Sequence, residues 1–325
     1  MCWYPWLNYS YRKILMQHTA NRSHHALLIQ SLLGMGVELL IREVGRWLMC
    51  CDRRDIKICG QCHACKLMLS GTHPDVYYIE SQNNTNTIGI DIIRNVIEKL
   101  YHHSYLGGAK IVFLLDANKL TESAANALLK TLEEPSLNTW FFLTVYEPSS
   151  LLITLRSRCL LLKLSTPDEE FSLKWLNQQH PSEYKKGCTA LRLSAGAPLK
   201  ALALLTGPLW EQRLRVCSNL SKALTGDIFS LLPVLNHNNA IQCIYWLCSL
   251  LVDASKYRQG AENFISNIDH LSLVMNIGRF LSSNVLDTSI DTWITCHKRL
   301  STIAGVNSEL LLIEQLLRWE YLLKK

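Results

Sequence analysis

Five cysteines crowd between positions 50 and 65, and four of them, Cys50, Cys59, Cys62 and Cys65, follow the spacing C-x8-C-x2-C-x2-C. Short C-x2-C turns bring thiolates within reach of one tetrahedral ion, and four thiolates leave no open coordination position. The chemistry expected is therefore structural zinc binding and not catalysis. Cys51 is an alternative to Cys50, and His63 could compete as a ligand. The histidine pair and helix spacing of a DNA-reading zinc finger are absent.

A second constellation has the setting of a phosphate-binding loop without its residues. An apolar run ends at Gln30, and Ser31, Gly34, Gly36, Val37 and Glu38 lead into a helical pattern. A working loop opens on glycine, places a lysine after the last glycine to neutralise phosphate, and follows it with a hydroxyl that holds magnesium. Ser31, Val37 and Glu38 stand at those positions. A carboxylate about 4 Å from a phosphate, at an effective dielectric near 20, is repelled by roughly 4 kcal/mol. Further on, a buried run ends in Asp116, where a magnesium-associated aspartate belongs, and Ala117 follows where a water-activating glutamate is required. The sequence thus predicts that no ATP is bound or cut here.

Leu155-Arg156-Ser157-Arg158-Cys159 precedes the last apolar run of this region. An arginine at such an edge can reach the phosphates of a neighbouring subunit, where it accelerates hydrolysis on the order of 1,000-fold or more. The alternative is a solvated or salt-bridged surface arginine.

The elements that must position these residues are legible as an alternation. Apolar runs at 26–30, 75–79, 110–115, 140–145 and 159–164 read as strands of a parallel sheet covered on both faces. Between them Ile90, Ile93, Ile97 and Leu100 recur at helical spacing, as do Ala124, Leu128 and Leu132 within 121–134, before Pro135. The expected fold class is α/β, a parallel-sheet core over 1–165 with a zinc module at about 50–65. After Ser165-Thr166-Pro167-Asp168 only helical patterns follow, and a break near Thr206-Gly207-Pro208 separates a small helical domain, 166–207, from a larger one, 208–325. A last helix is expected from Asn307, with Leu310, Ile313 and Leu317 on one side, and the apolar face of that unit could serve its own core or a subunit interface.

With 48% hydrophobic and 18% charged residues the chain can bury a large core, which argues against a disordered class. The first residues have neither the apolar stretch nor the small-residue cleavage site of a secretory signal, and no apolar run nears the ~20 residues of a membrane span. A soluble, cytoplasmic protein with no membrane partner is expected. In that reducing setting, Cys159, Cys188, Cys217, Cys243, Cys248 and Cys296, each alone in an apolar segment, read as small buried hydrophobes. A formal charge of +6 permits contact with an anion such as DNA, without requiring it.

Several long runs make the assignment specific. The opening Met1-Cys2-Trp3-Tyr4-Pro5-Trp6-Leu7, the segment His24-His25-Ala26-Leu27-Leu28-Ile29-Gln30, the run Ala124-Ala125-Asn126-Ala127-Leu128-Leu129-Lys130-Thr131-Leu132-Glu133-Glu134-Pro135, and Ser157-Arg158-Cys159 resemble the delta-prime subunits of bacterial DNA polymerase III clamp loaders, members of the AAA+ superfamily. The resemblance covers nearly the whole chain. It implies an AAA+ core, a helical lid and a helical collar, assembled in a five-subunit ring with delta and the ATP-hydrolysing gamma or tau subunits, and acting through the complex on a sliding clamp and primer-template DNA. It implies a zinc module at the cysteine cluster. It also implies that Arg158, more than Arg156, completes the ATP site of an adjacent gamma or tau subunit. In hydrolysing relatives the lid carries a sensing arginine after a Gly-Ser pair; Ser194-Ala195-Gly196-Ala197-Pro198 here leads to Leu199, with Lys200 beside it.

Overall fold

The computed structural model describes residues 3–81, 87–146, 152–224, 226–236, 239–302 and 307–324, so Met1 and Cys2 of the opening run lie outside the described residues. It divides into two compact units, Met1–Thr166 and Pro167–Lys325. Among the described residues the first contains five parallel strands, β1 (Ala26–Gln30), β2 (Val76–Ile79), β3 (Lys110–Leu114), β4 (Thr139–Val145) and β5 (Leu160–Lys163), in the order β2-β3-β4-β1-β5. All five coincide with the expected runs to within a residue. Every residue of β3 is buried, as a strand covered on both faces requires.

The helices of this unit are α1 (Asn8–Thr19), α2 (Val37–Met49), α3 (His63–Ser70), α4 (Ile90–Tyr101), α5 (Glu122–Glu133) and α6 (Ile153–Ser157). Thr121 caps α5 by accepting the Ala124 N–H at 3.2 Å. Ala124, Leu128 and Leu132 then fall on one face and pack, with Ile93 and Leu100 of α4, against Val112, Leu114, Phe141 and Leu143 of the sheet. Each such large side chain contributes roughly 1.5–3 kcal/mol by leaving water. The register pairs Leu28 with Leu143 and Leu161, and Gln30 with Val145, so the carboxyl ends of β1, β4 and β5 share one edge.

The second unit is helical. Its elements are α7 (Glu169–Gln179), α8 (Tyr184–Leu193), α9 (Pro198–Thr206), α10 (Leu209–Ala223), α11 (Leu232–Leu235), α12 (Ala240–Arg258), α13 (Leu271–Phe280), α14 (Ser283–Thr302) and α15 (Ser308–Leu323). One buried core runs from Leu176 and Ala190 through Leu247 and Leu251 to Trp293 and Trp319. Trp319 donates its indole N–H to the Ser289 hydroxyl at 2.9 Å, satisfying a polar atom that burial would otherwise strand. The helix expected from Asn307 begins there, with Asn307 as its cap. Its core face, however, is Leu312, Leu316 and Trp319, while Leu310 and Leu317 are 64% and 53% exposed. Helical spacing alone does not choose between two apolar stripes on α15, and the one that carries Trp319 is buried.

Candidate functional site

The four cysteines come together where α2 gives way to α3. Cys50 ends α2, Cys62 caps α3, Cys65 lies in its first turn, and Cys59 occupies the turn between. Their Sγ atoms all lie within 4.8 Å of one another. Cys50 and Cys59 sulfurs are 3.5 Å apart, and those of Cys59 and Cys65 are 4.0 Å apart. A tetrahedron with metal–sulfur bonds of about 2.3 Å has edges of about 3.8 Å, so these spacings suit one ion. Backbone N–H groups point at the sulfurs: Cys62 N–H to Cys59 Sγ at 3.3 Å, Cys65 N–H to Cys62 Sγ at 3.4 Å and Cys59 N–H to Cys50 Sγ at 3.4 Å.

Burial alone would raise the Cys62 thiol, but the donors from Cys51 and Cys65 outweigh it and bring the group down to about 6. The N–H groups of Cys62 and Gln61 likewise lower Cys59, while burial raises Cys65. Such a site favours thiolates on its donor-rich side and fits a metal that takes them. Among the described residues the cluster holds Cys50 and not Cys51, which is exposed, and His63 stands outside it.

The strand–turn–helix at β1 and α2 keeps its shape. Gly34 and Gly36 adopt φ of +87° and +77°, a conformation that side chains oppose, and so let the chain reverse into α2. Val37, at the lysine position, is 2% exposed and belongs to the core. Glu38 is exposed in the first turn, where its carboxylate complements the positive helix end that would otherwise attract phosphate. The Tyr146 hydroxyl, one residue past β4, donates to Glu38 Oε1 at 3.4 Å. Burial, then the carboxylates of Glu38 and Asp116, push that phenol up to about 12, so it stays a neutral donor. Asp116 has φ of +62°, donates its N–H to Thr144 Oγ1 at 2.8 Å, and faces Lys119 Nζ at 3.8 Å. Ala117 is buried beside it. Acid, phenol and lysine thus gather at one edge of the sheet, where Asp116 and Glu38 answer to groups of this chain. Sequence reasoning missed Tyr146 and Lys119, although a position just past a parallel strand was a signal for the first.

Three family profiles match the chain: "DNA polymerase III, delta subunit" over residues 8–168, "DNA polymerase III subunit delta', AAA+ ATPase lid domain" over 167–206, and "DNA polymerase III, delta subunit, C terminal" over 208–321. The DNA polymerase III subunit delta' of Yersinia pestis is 48% identical, with 98% of this chain and 96% of that protein aligned. That of Escherichia coli K12 is 44% identical, over 100% and 97%. This chain belongs to the delta-prime family of DNA polymerase III. A tau/gamma subunit of Haemophilus influenzae is 31% identical over 46% of the chain and 21% of its own length. The delta-prime chain accordingly has the AAA+ parallel-sheet core, lid and C-terminal helical region expected from its sequence.

The expected arginine motif lies at the carboxyl end of α6. Ser157 ends that helix, Arg158 caps it, and Cys159 leads into β5. The Arg158 guanidinium pairs with Glu133, at the end of α5, through Nε and Nη2, and donates from Nη1 to the Thr154 carbonyl at 2.9 Å. Arg156 is exposed. Burial pushes the Cys159 thiol up to about 12, as suits a small side chain packed in an apolar segment. In the second unit Pro198 starts α9, Leu199 is half-buried and Lys200 exposed, leaving no cation at position 199 itself. No helix among the described residues is long and apolar enough to cross a membrane.

Proposed function

We propose that this chain is a non-hydrolysing clamp-loader subunit that works through its neighbours. In this reading it joins gamma or tau and delta subunits in a ring, supplies Arg158 as an arginine finger to an adjacent gamma or tau ATP site, and takes part in ATP-dependent loading of the sliding clamp onto primed DNA in the cytoplasm. Contact with clamp and primer-template DNA is made through the complex. The observation that carries the reading is a contrast on one core. Val37 is buried and Glu38 holds Tyr146 where nucleotide contacts belong, yet Arg158 stands at the surface with 31% of its side chain exposed.

Cys50, Cys59, Cys62 and Cys65 would hold zinc, which supplies a four-way crosslink to a segment with little core of its own. The chain's own residues do the rest: Glu38 repels phosphate, and with Ala117 following Asp116 there is no carboxylate at that position to activate water. The test is reconstitution with gamma or tau and delta. The chain alone should neither bind nor hydrolyse ATP, and should restore DNA- and clamp-stimulated hydrolysis to the mixture. Arg158→Ala should lower hydrolysis at the adjacent gamma or tau site on the order of 1,000-fold, and so depress the total rate, while the ring still assembles. Tight binding of Mg-ATP by the lone chain would overturn the non-hydrolysing reading.

A further inference from the structure

From the contacts of Arg158 we infer that Glu133 is the positioning residue of the arginine finger, a deepening that rests on the finger assignment above. Glu133 Oε1 takes both donors of one guanidinium edge, Nε and Nη2. On the other side Nη1 donates to the Thr154 carbonyl at 2.9 Å, with the Ser157 hydroxyl at 3.4 Å. A guanidinium has five N–H donors in a fixed plane. Glu133, Thr154 and Ser157 take four of these donors, fix that plane and leave one Nη2 donor for a phosphoryl oxygen.

This pair differs from the local pairs of the same unit. Arg46–Glu43 and Lys119–Asp116 join neighbours three residues apart, whereas Arg158 and Glu133 are 25 residues apart and link α6 to α5. Both anchors are tied to the core: Leu132, beside Glu133, is 1% exposed, and Leu155, three residues before Arg158, is fully buried. The backbones are therefore held by packing before the side chains meet. A free arginine must be ordered when the phosphate arrives, while one already held has lost that freedom during folding. Displacing a catalytic group by about 1 Å costs up to about 100-fold in rate, so the carboxylate has leverage on the chemical step without touching nucleotide. With Glu133 49% exposed, the pair alone adds little to stability, and its effect belongs in the rate.

The experiment measures clamp- and DNA-stimulated ATP hydrolysis by the full complex reconstituted with Glu133→Ala, Glu133→Gln, Arg158→Ala and the Glu133→Ala, Arg158→Ala double variant. Glu133→Ala is expected to lower kcat at the adjacent gamma or tau site about tenfold with KM for ATP unchanged there, the signature of a contact made in the transition state. Glu133→Gln keeps one acceptor oxygen and nearly the same shape, so it should recover part of the rate and remains informative where the alanine variant assembles poorly. The double variant should be no slower than Arg158→Ala alone. Full or raised kcat in both Glu133 variants, with Arg158→Ala impaired, overturns the positioning role and leaves the finger standing. An unimpaired Arg158→Ala complex overturns the finger itself, and this inference with it.

Discussion

Between β1 and α2 the chain is ordered by its own packing, whereas between α2 and α3 little but sulfur is available to order it. In the first region the Ser31 N–H continues the sheet by donating to the Val145 carbonyl at 3.1 Å, Trp6 fixes the Met35 carbonyl at 2.9 Å, and Met35 itself is fully buried. In the second, residues 51–62 are mostly exposed, and α3 is only eight residues long, too short to persist unaided. Trp47 Nε1 to the Asp55 carbonyl at 2.7 Å is one of few tethers. A loop whose shape comes from its core can change the residues that line it and still fold. A loop whose shape comes from its ligands cannot.

That contrast is sharpened most by testing the zinc proposed for the cysteine cluster. A structural zinc contributes on the order of 10 kcal/mol to the segment it folds, so chelation, or Cys62→Ser, should abolish amide protection across residues 50–65 in hydrogen exchange while β1, β3 and β4 stay protected. Elemental analysis should find zinc in the native chain and little in the variant. Unchanged protection after complete metal loss would mean that the tethers suffice and the cysteines are incidental.

The legibility of the two regions in sequence follows from the same physics. The gathering of Cys50, Cys59, Cys62 and Cys65 could be read from their spacing because short C-x2-C turns bring sulfurs together locally, over three residues at a time. The strands were legible for a similar reason, since a strand buried on both faces, such as β3, is a continuous apolar run. The Tyr146–Glu38 contact joins residues 108 apart in sequence, and the Arg158–Glu133 pair joins residues 25 apart. Neither has a local spacing rule. They follow from the order in which parallel strands are laid down, which the alternation of runs does not state. The same limit hid the buried stripe of α15, where two apolar faces share one helix and only tertiary packing selects Trp319.

If packing orders the turn between β1 and α2, the next largest effect should come from Met35. Met35→Ala removes a fully buried side chain that sits between the two glycines. Large-to-small changes of this kind cost about 2–5 kcal/mol, so urea denaturation of the sheet unit should show a loss of about 3 kcal/mol with the metal content unchanged. A loss below about 0.5 kcal/mol would show that Met35 packing does not hold the turn, and would break the comparison on its first side.

The smallest effect on stability should come from Glu38→Thr, which restores the hydroxyl a magnesium site requires. Glu38 is exposed, so its packing contribution is slight, and loss of a carboxylate from the first turn of α2 costs about 0.5 kcal/mol. Removing it relieves the roughly 4 kcal/mol repulsion from phosphate and one of the two carboxylates that act on Tyr146. The Tyr146 phenol should then move down from about 12, staying above its ordinary value because burial is its larger cause. Mg-ATP should still fail to bind tightly, since Val37 gives no cation and is turned into the core. Calorimetric titration with Mg-ATP and NMR titration of Tyr146 read the two consequences separately. Tight binding in this single variant would mean that Glu38 alone excludes nucleotide and that Val37 contributes nothing, whereas an unmoved Tyr146 would remove the 3.4 Å contact from the account of why this edge is closed.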